Sequence, residues 1–263
     1  MKFFIGQVMP YITVTIFLLG LLWRVWRWTG ALRIHNIALS PFARNWVDTI
    51  GIILAQILFF WNPWKFDRPL WVGAWPMHAA LVGVLGGHAV GIYFMGTQFT
   101  YIGLSVAASK QASVLLGQLV GIVFLVALLY LLYRRIAIEK VRAVSAPSDY
   151  LHLILLLAIV VVGDLMRFLP SAELEYEEAR HYLAGLFTFH PVPIPDNWYF
   201  IIHFLLVQIL MIIFPFSKLV HPLGMLWERW IVNRPYQDTP LGLPGVRLTL
   251  GGPAGETTAS KGV

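Results

Sequence analysis

Long apolar runs broken by short polar stretches set the outline of this chain. Such runs occur at residues 8–23, 70–95, 111–133, 150–169 and 197–220. At about 1.5 Å per helical residue, a run near twenty residues crosses about 30 Å of hydrocarbon. The pattern predicts an all-α membrane protein, a five-span helical bundle. One further apolar stretch, 47–61 (VDTIGIILAQILFFW), is short for a crossing and has basic residues on both flanks. It is expected to be an interfacial or re-entrant helix rather than a sixth span. The opening MKFFIGQVMPYITVTIFLLGLLW has no small-residue cleavage site behind it and reads as a retained first span. The expected organisation is a membrane domain over 1–221 and a tail over 222–263. The tail ends in the Gly/Pro/Thr/Ser-rich LGGPAGETTASKGV, a composition that favours disorder.

Loop charges give the orientation. Arg24, Arg27, Arg33 and Arg44 follow the first run, and Lys65 and Arg68 precede the second. Arg134, Arg135, Lys140 and Arg142 follow the third, while Lys218, Arg229, Arg234 and Arg247 flank or follow the fifth. The 170–196 loop instead carries Glu173, Glu175, Glu177 and Glu178. The positive-inside rule therefore places the N-terminus outside and the C-terminus in the cytoplasm. A multi-pass protein of the bacterial cytoplasmic (inner) membrane is expected.

Composition sharpens this. Only 12% of the residues are charged, against about a quarter in soluble domains. The net charge of +6 sits beside the spans, so it speaks for a lipid bilayer and not for nucleic acid. With no cysteine in the chain, disulfides, thiolate-held iron–sulfur clusters, c-type heme and cysteine nucleophiles are excluded. Any redox cofactor must rest on histidine or methionine, or belong to a partner.

Four histidines stand out against this apolar background. His78 and His88 lie ten apart in WPMHAALVGVLGGHAVGIYF, and His203 and His221 eighteen apart in FIIHFLLVQILMIIFPFSKLVH. An imidazole in hydrocarbon is costly unless something satisfies it. Neither spacing allows one helix to chelate one ion through i and i+4, so each pair serves two separate centres. Two such helices can clamp two hemes at two depths. On ideal helices the pairs rise by about 15 Å and about 27 Å, a mismatch left to tilt and to a kink at Pro215. Gly83, Gly86 and Gly87 near His88 either let a flat macrocycle approach the backbone or allow close helix packing.

Here the residues carry a resemblance. GGHAVG after a histidine ten earlier, SKQ some twenty residues on, LFTFH before the last span and FPFSKLVH at its end resemble the cytochrome b (gamma) subunit family of respiratory nitrate reductase. The similarity covers residues 8–221. It implies two heme b groups, the inner held by His78 and His221 and the outer by His88 and His203. It also implies a quinone site beside the outer heme, lined or supported by Gly87, His88 and Lys110. Lys110 is the only charged residue between Arg68 and Arg134; it could hold a quinone carbonyl or simply snorkel to the interface. The 47–61 insertion, the acidic 173–180 loop and the longer tail look more like the membrane cytochrome of the dissimilatory sulfite reductase-associated electron-transport complex. That branch implies a role in sulfur metabolism and a cytoplasmic iron–sulfur partner resembling heterodisulfide reductase. A nitrate-reductase beta-like partner is the alternative, and further membrane and periplasmic cytochrome subunits are additional candidates.

The expected function is electron exchange between the quinone/quinol pool and a cytoplasmic iron–sulfur subunit, in either direction. The chain is not expected to act on a soluble substrate by itself. A gamma subunit of a nitrate reductase is the nearest alternative, and a proton- or metal-coupled transporter the alternative of another class. A transporter would place polar groups in several helices and often show repeats, whereas here they concentrate on two. Among the remaining polar residues, Asp164 and Arg167 are spaced for an ion pair, with a proton path as the second reading. His152 is expected at the interface, and His181 and His190 in a loop. Lys218 could meet a heme propionate or anchor at the interface. GMLWERWIV (224–232) should lie along the inner surface or dock a partner.

Overall fold

The computed structural model describes residues 1–31, 43 and 45–233, and every regular element among them is helical. Arg33, Arg44, Arg234, Arg247 and the Gly/Pro-rich tail fall outside the described residues. A π turn at Phe4–Val8 leads into α1 (Met9–Ala31). Two short helices follow, α2 (Trp46–Leu58) and α3 (Trp61–Phe66), then the long α4 (Arg68–Phe94). Next come α5 (Val106–Ala137), α6 (Glu139–Ala143) and α7 (Pro147–Phe168). The chain continues with α8 (Tyr176–Phe187), α9 (Trp198–Ile213) and α10 (His221–Val232). Among the described residues, five helical segments are long and apolar enough to cross a membrane: α1 with the π turn, α4, α5, α7, and α9 with the turn that continues it to Phe216. They carry outward-facing leucines such as Leu18, Leu22, Leu115 and Leu119, a surface suited to acyl chains rather than water.

Their directions alternate. One end of the bundle joins the π turn, α8 and the start of α9: Tyr182 Oη donates to Gly6 O at 2.6 Å, and Lys2 pairs with Asp196. Gln208 Nε2 donates to Ile5 O at 3.1 Å, so carbonyls of the π turn find partners outside their own helix. Burial pushes the Tyr182 phenol above its ordinary value, which keeps it a donor. The opposite end gathers ten of the eleven tryptophans: Trp23, Trp26, Trp28, Trp46, Trp61, Trp64, Trp71, Trp75, Trp227 and Trp230. Asp67 caps α4 by accepting from Leu70 N–H at 3.0 Å and pairs with Arg134 at 2.5 Å, fixing α4 to the end of α5.

Helix α4 packs on α5, α5 on α7, α7 on α9 and α9 on α1. Ala80, Phe124, Leu128, Leu153 and Val160 form the core that joins α4, α5 and α7. Helices α4 and α9 are not among the closely packed pairs, yet histidines of both face each other.

Two expectations change. The last span does not run to 220. Helix α9 stops at Ile213, and two 3₁₀ turns, Phe214–Phe216 and Lys218–Val220, carry the chain to His221. Pro215 has no N–H to continue the helix, and its ring meets Gly20 of α1 while its carbonyl accepts from Arg24 Nε at 2.7 Å. The 27 Å rise therefore does not apply. The 170–196 stretch, read as loop, contains α8, whose buried Ala179, Tyr182 and Gly185 repeat every three residues.

Helix α2 begins and ends at the tryptophan-rich end. Thr49 Oγ1 donates to Asn233 O at 2.6 Å, and Trp46 stacks on Trp230 of α10 at 5.1 Å. At its far end, Trp75 Nε1 donates to Leu58 O and Trp71 Nε1 to Phe59 O, both at 2.8 Å. The 224–232 stretch thus packs on α2.

Candidate site: two facing histidine pairs

The four histidines meet in pairs. His78 Nε2 lies 3.4 Å from His221 Nε2, with ring centroids 5.6 Å apart and planes at 86°. His88 and His203 stand 6.2 Å apart with planes within 3° of parallel. The first pair lies toward the tryptophan-rich end and the second toward the α8 end, one helical segment further along α4.

Each Nδ1 has a backbone carbonyl. On α4 both rings fold back to the carbonyl four residues earlier, His78 to Ala74 O and His88 to Val84 O, each at 2.7 Å. His203 reaches across to Ile159 O of α7 at 3.0 Å, and His221 turns back to Lys218 O at 3.0 Å. A carbonyl can only accept, so every Nδ1 carries the proton and every Nε2 presents a lone pair. At His78–His221 two lone pairs face each other, which is repulsive unless a Lewis acid lies between them. Nε2 of His88 and of His203 has no hydrogen-bond partner among the described residues. Locking Nδ1–H to a carbonyl is how proteins orient metal-bound imidazoles.

The donor set fits heme. The facing Nε2 atoms of His78 and His221, 3.4 Å apart, could hold an iron between them, and the parallel rings of His88 and His203 could do the same. Among the described residues no three His, Cys, Asp or Glu side chains gather as a chelating group. Each pair offers two nitrogens only, the number required when a macrocycle fills the other positions.

Space around the pairs comes from glycine. A Cβ at Gly86 or Gly87 would meet no atom within 4 Å, leaving open space beside His88. Gly83 is different: its Cβ would stand 3.2 Å from Val120, so it serves close packing of α4 on α5. Gly163 was not singled out from the sequence. A Cβ there would stand 3.1 Å from His203 Cε1, so this glycine makes room for the ring beneath the Ile159 carbonyl. Phe60, in a left-handed conformation (φ 50°) between α2 and α3, sets its ring edge-on against His78 at 4.9 Å. Only the tertiary fold brings these two residues to their histidines.

Lys110 lies in the first turns of α5. Ser109 Oγ and Ser113 Oγ donate to Gly96 O at 2.8 and 3.2 Å, and this turn places Lys110. Gly96, at φ 75°, sits where a Cβ would press on the Lys110 stem at 3.3 Å. The ammonium makes no ion pair among the described residues.

One expectation of an ion pair is corrected, and the partners of two more residues are now visible. Asp164 and Arg167 do not pair: Asp164 packs against Gly121 of α5, with Oδ2 buried and unpartnered, while Arg167 Nη1 donates to Tyr176 Oη at 2.9 Å. The small residues Gly117 and Gly121 draw both side chains toward α5. Lys218 binds Asp149, at 2.9 Å to Oδ1 and 3.2 Å to Oδ2. His152, in the second turn of α7, is buried within the protein. His190 is exposed in a loop as expected, whereas His181, also exposed, lies in α8 rather than in a loop.

The chain is 30% identical to the Hdr-like menaquinol oxidoreductase cytochrome b-like subunit of Archaeoglobus fulgidus, with 85% of this chain and 77% of that protein covered. It is 27% identical to the nitrate reductase gamma chain of Bacillus subtilis, covering 86% of this chain and 95% of the other. The respiratory nitrate reductase 2 gamma chain of Escherichia coli is 24% identical over 83% of this chain and 88% of its own length. The profile of the nitrate reductase gamma subunit family matches residues 66–237, a stretch that holds all four paired histidines, and the chain belongs to that family.

Proposed function

We propose that this chain is a di-heme b membrane subunit that exchanges electrons between the quinone pool and a cytoplasmic iron–sulfur subunit. The observation that carries this reading is the facing of two histidine pairs whose Nδ1–H groups are all tied to carbonyls. His78 and His221 hold one heme b, and His88 and His203 the other. Heme b would supply a one-electron carrier at each pair, held by the two imidazoles. The chain's own residues fix the tautomer of each imidazole and leave room beside Gly86 and Gly87.

The N-terminus lies outside and the C-terminus in the cytoplasm of a bacterial inner membrane. Arg24, Lys65, Arg134, Arg135 and Lys140 at the tryptophan-rich end, against Glu173, Glu175, Glu177 and Glu178 at the other, support this. The His78–His221 pair is then the inner one, α2 lies along the cytoplasmic interface, and residues 222–263 form a cytoplasmic tail. Gly87, His88 and Lys110 border a quinone site at the outer pair, where the unpaired Lys110 ammonium donates to a quinone carbonyl.

The iron–sulfur partner resembles heterodisulfide reductase, within sulfur-linked respiration. The Hdr-like name of the Archaeoglobus relative supports that branch. The second reading, a gamma subunit of a respiratory nitrate reductase, is favoured by the Bacillus and Escherichia matches. Mass spectrometry of the complex copurified from native membranes decides between them.

The central test is spectroscopic. Purified protein should give a reduced-minus-oxidised b-type spectrum with two hemes per chain by pyridine hemochrome. His78→Ala or His221→Ala should each remove one heme, and His88→Ala or His203→Ala the other. A heme-free protein ends the reading, and joint dependence of one heme on His78 and His203 ends the pairing.

A further inference from the structure

His221 is the only member of the two pairs that no spanning helix carries. Three histidines ride on α4 and α9, whose backbones fix their height. His221 follows the break at Pro215 and two 3₁₀ turns, so its place depends on how this connection is held. Ser217 stabilises the turn locally, its Oγ accepting from Leu219 N–H at 3.1 Å and donating to Phe214 O at 3.0 Å. Arg24 and Gly20 of α1 hold the connection at Pro215, its first turn, but the Ser217 hydrogen bonds do not tie the 218–221 turn to the bundle.

Lys218 makes the tie. Its carbonyl accepts from His221 Nδ1–H, and its ammonium grips both oxygens of Asp149, in the first turn of α7. The Asp149 side chain is only 8% exposed. It also accepts from Ala146 N–H at 3.0 Å and faces Arg135 of α5 at 3.3 Å. Arg135 in turn donates to Ser145 Oγ at 2.8 Å. One buried carboxylate thus joins α5, α7 and the connection that ends in His221. The Lys218 side chain is itself 65% exposed, so the contact is directed from the Asp149 side, where the carboxylate is buried and already hydrogen-bonded.

The geometry points to Asp149 as a positioning residue for the His78–His221 site: through Lys218 it sets the 218–221 turn that presents His221 to His78. This rests on the reading of the paired histidines as heme ligands. Asp149 touches neither histidine, and its action passes through the Lys218 backbone.

The test compares Asp149→Asn and Lys218→Met with Lys218→Arg and Arg135→Gln in the full chain. Asp149→Asn and Lys218→Met should shift the low-spin EPR signal and midpoint of one heme, or lower content from two hemes toward one. The heme lost or shifted should be the one that His221→Ala removes. Lys218→Arg should restore the wild-type signal, and Arg135→Gln should disturb it less than Lys218→Met. Equal damage to both hemes, or an unchanged signal in Lys218→Met, overturns the proposal. A heme-independent arm separates it from the heme assignment. The chain has no cysteine, so His78→Cys/His221→Cys can be joined by a short thiol-reactive crosslinker. Adding Lys218→Met should cut that crosslinking several-fold while a His88→Cys/His203→Cys pair is unaffected. Equal crosslinking with and without Lys218→Met refutes the positioning role even in a protein that binds no heme.

Discussion

A histidine in hydrocarbon is satisfied at one nitrogen by the carbonyl it reaches, and this leaves the other nitrogen committed. All four paired rings follow that rule, three through carbonyls of a long helix and one through Lys218 O. The residue types were legible in the sequence, because polar rings in apolar runs are conspicuous. Gly163 was not, because its role depends on a ring carried forty residues later. Adding a side chain there tests that role. Gly163→Leu should push the His203 ring from the Ile159 carbonyl, cost about 1–3 kcal/mol of stability, and lower heme content toward one per chain. Gly86→Ala, which meets nothing within 4 Å in the protein, should leave thermal stability close to wild type. Hemochrome assay and thermal unfolding read both.

At the scale of elements, the five spans were legible because apolar length is a strong signal. The end of α9 was not. FPFSKLV still carries Phe214, Phe216, Leu219 and Val220, enough to extend the apolar run on paper, whereas the backbone breaks at Pro215. The expected Asp164–Arg167 pair failed for a related reason: i, i+3 spacing describes one helix, and Tyr176 and two glycines of α5 offer better places. The 47–61 stretch was legible as an apolar run shorter than the five spans, but the ring that Phe60 sets against His78 was not. Phe60→Ala should remove the aromatic edge on His78 and admit water there. We expect a measurable midpoint shift in one heme, with the other unchanged in redox titration.

For the whole molecule, the two ends differ in kind. One is a rim of ten tryptophans with clustered cations; the other is closed by α8, the π turn and buried hydrogen bonds to its carbonyls. Trp198 alone reports from the α8 end. Depth-dependent quenching by brominated lipids should therefore show one heavily populated fluorophore depth, and Trp198→Phe should change it little. The α8 closure is also a stability element. Tyr182→Phe leaves the Gly6 carbonyl without its donor and should lower stability by about 1–3 kcal/mol, read as a lower melting temperature in detergent.

The break after Ile213 has a consequence for biogenesis. The His88–His203 site is complete once the chain has emerged through α9, while the His78–His221 site still lacks a ligand until the eight residues beyond have folded back. Under the proposed heme assignment the two sites would mature in order, with a one-heme stage before His221 is in place. A chain stopped after Phe216 should be isolable in that stage, carrying a single heme whose spectrum matches the one lost in His203→Ala.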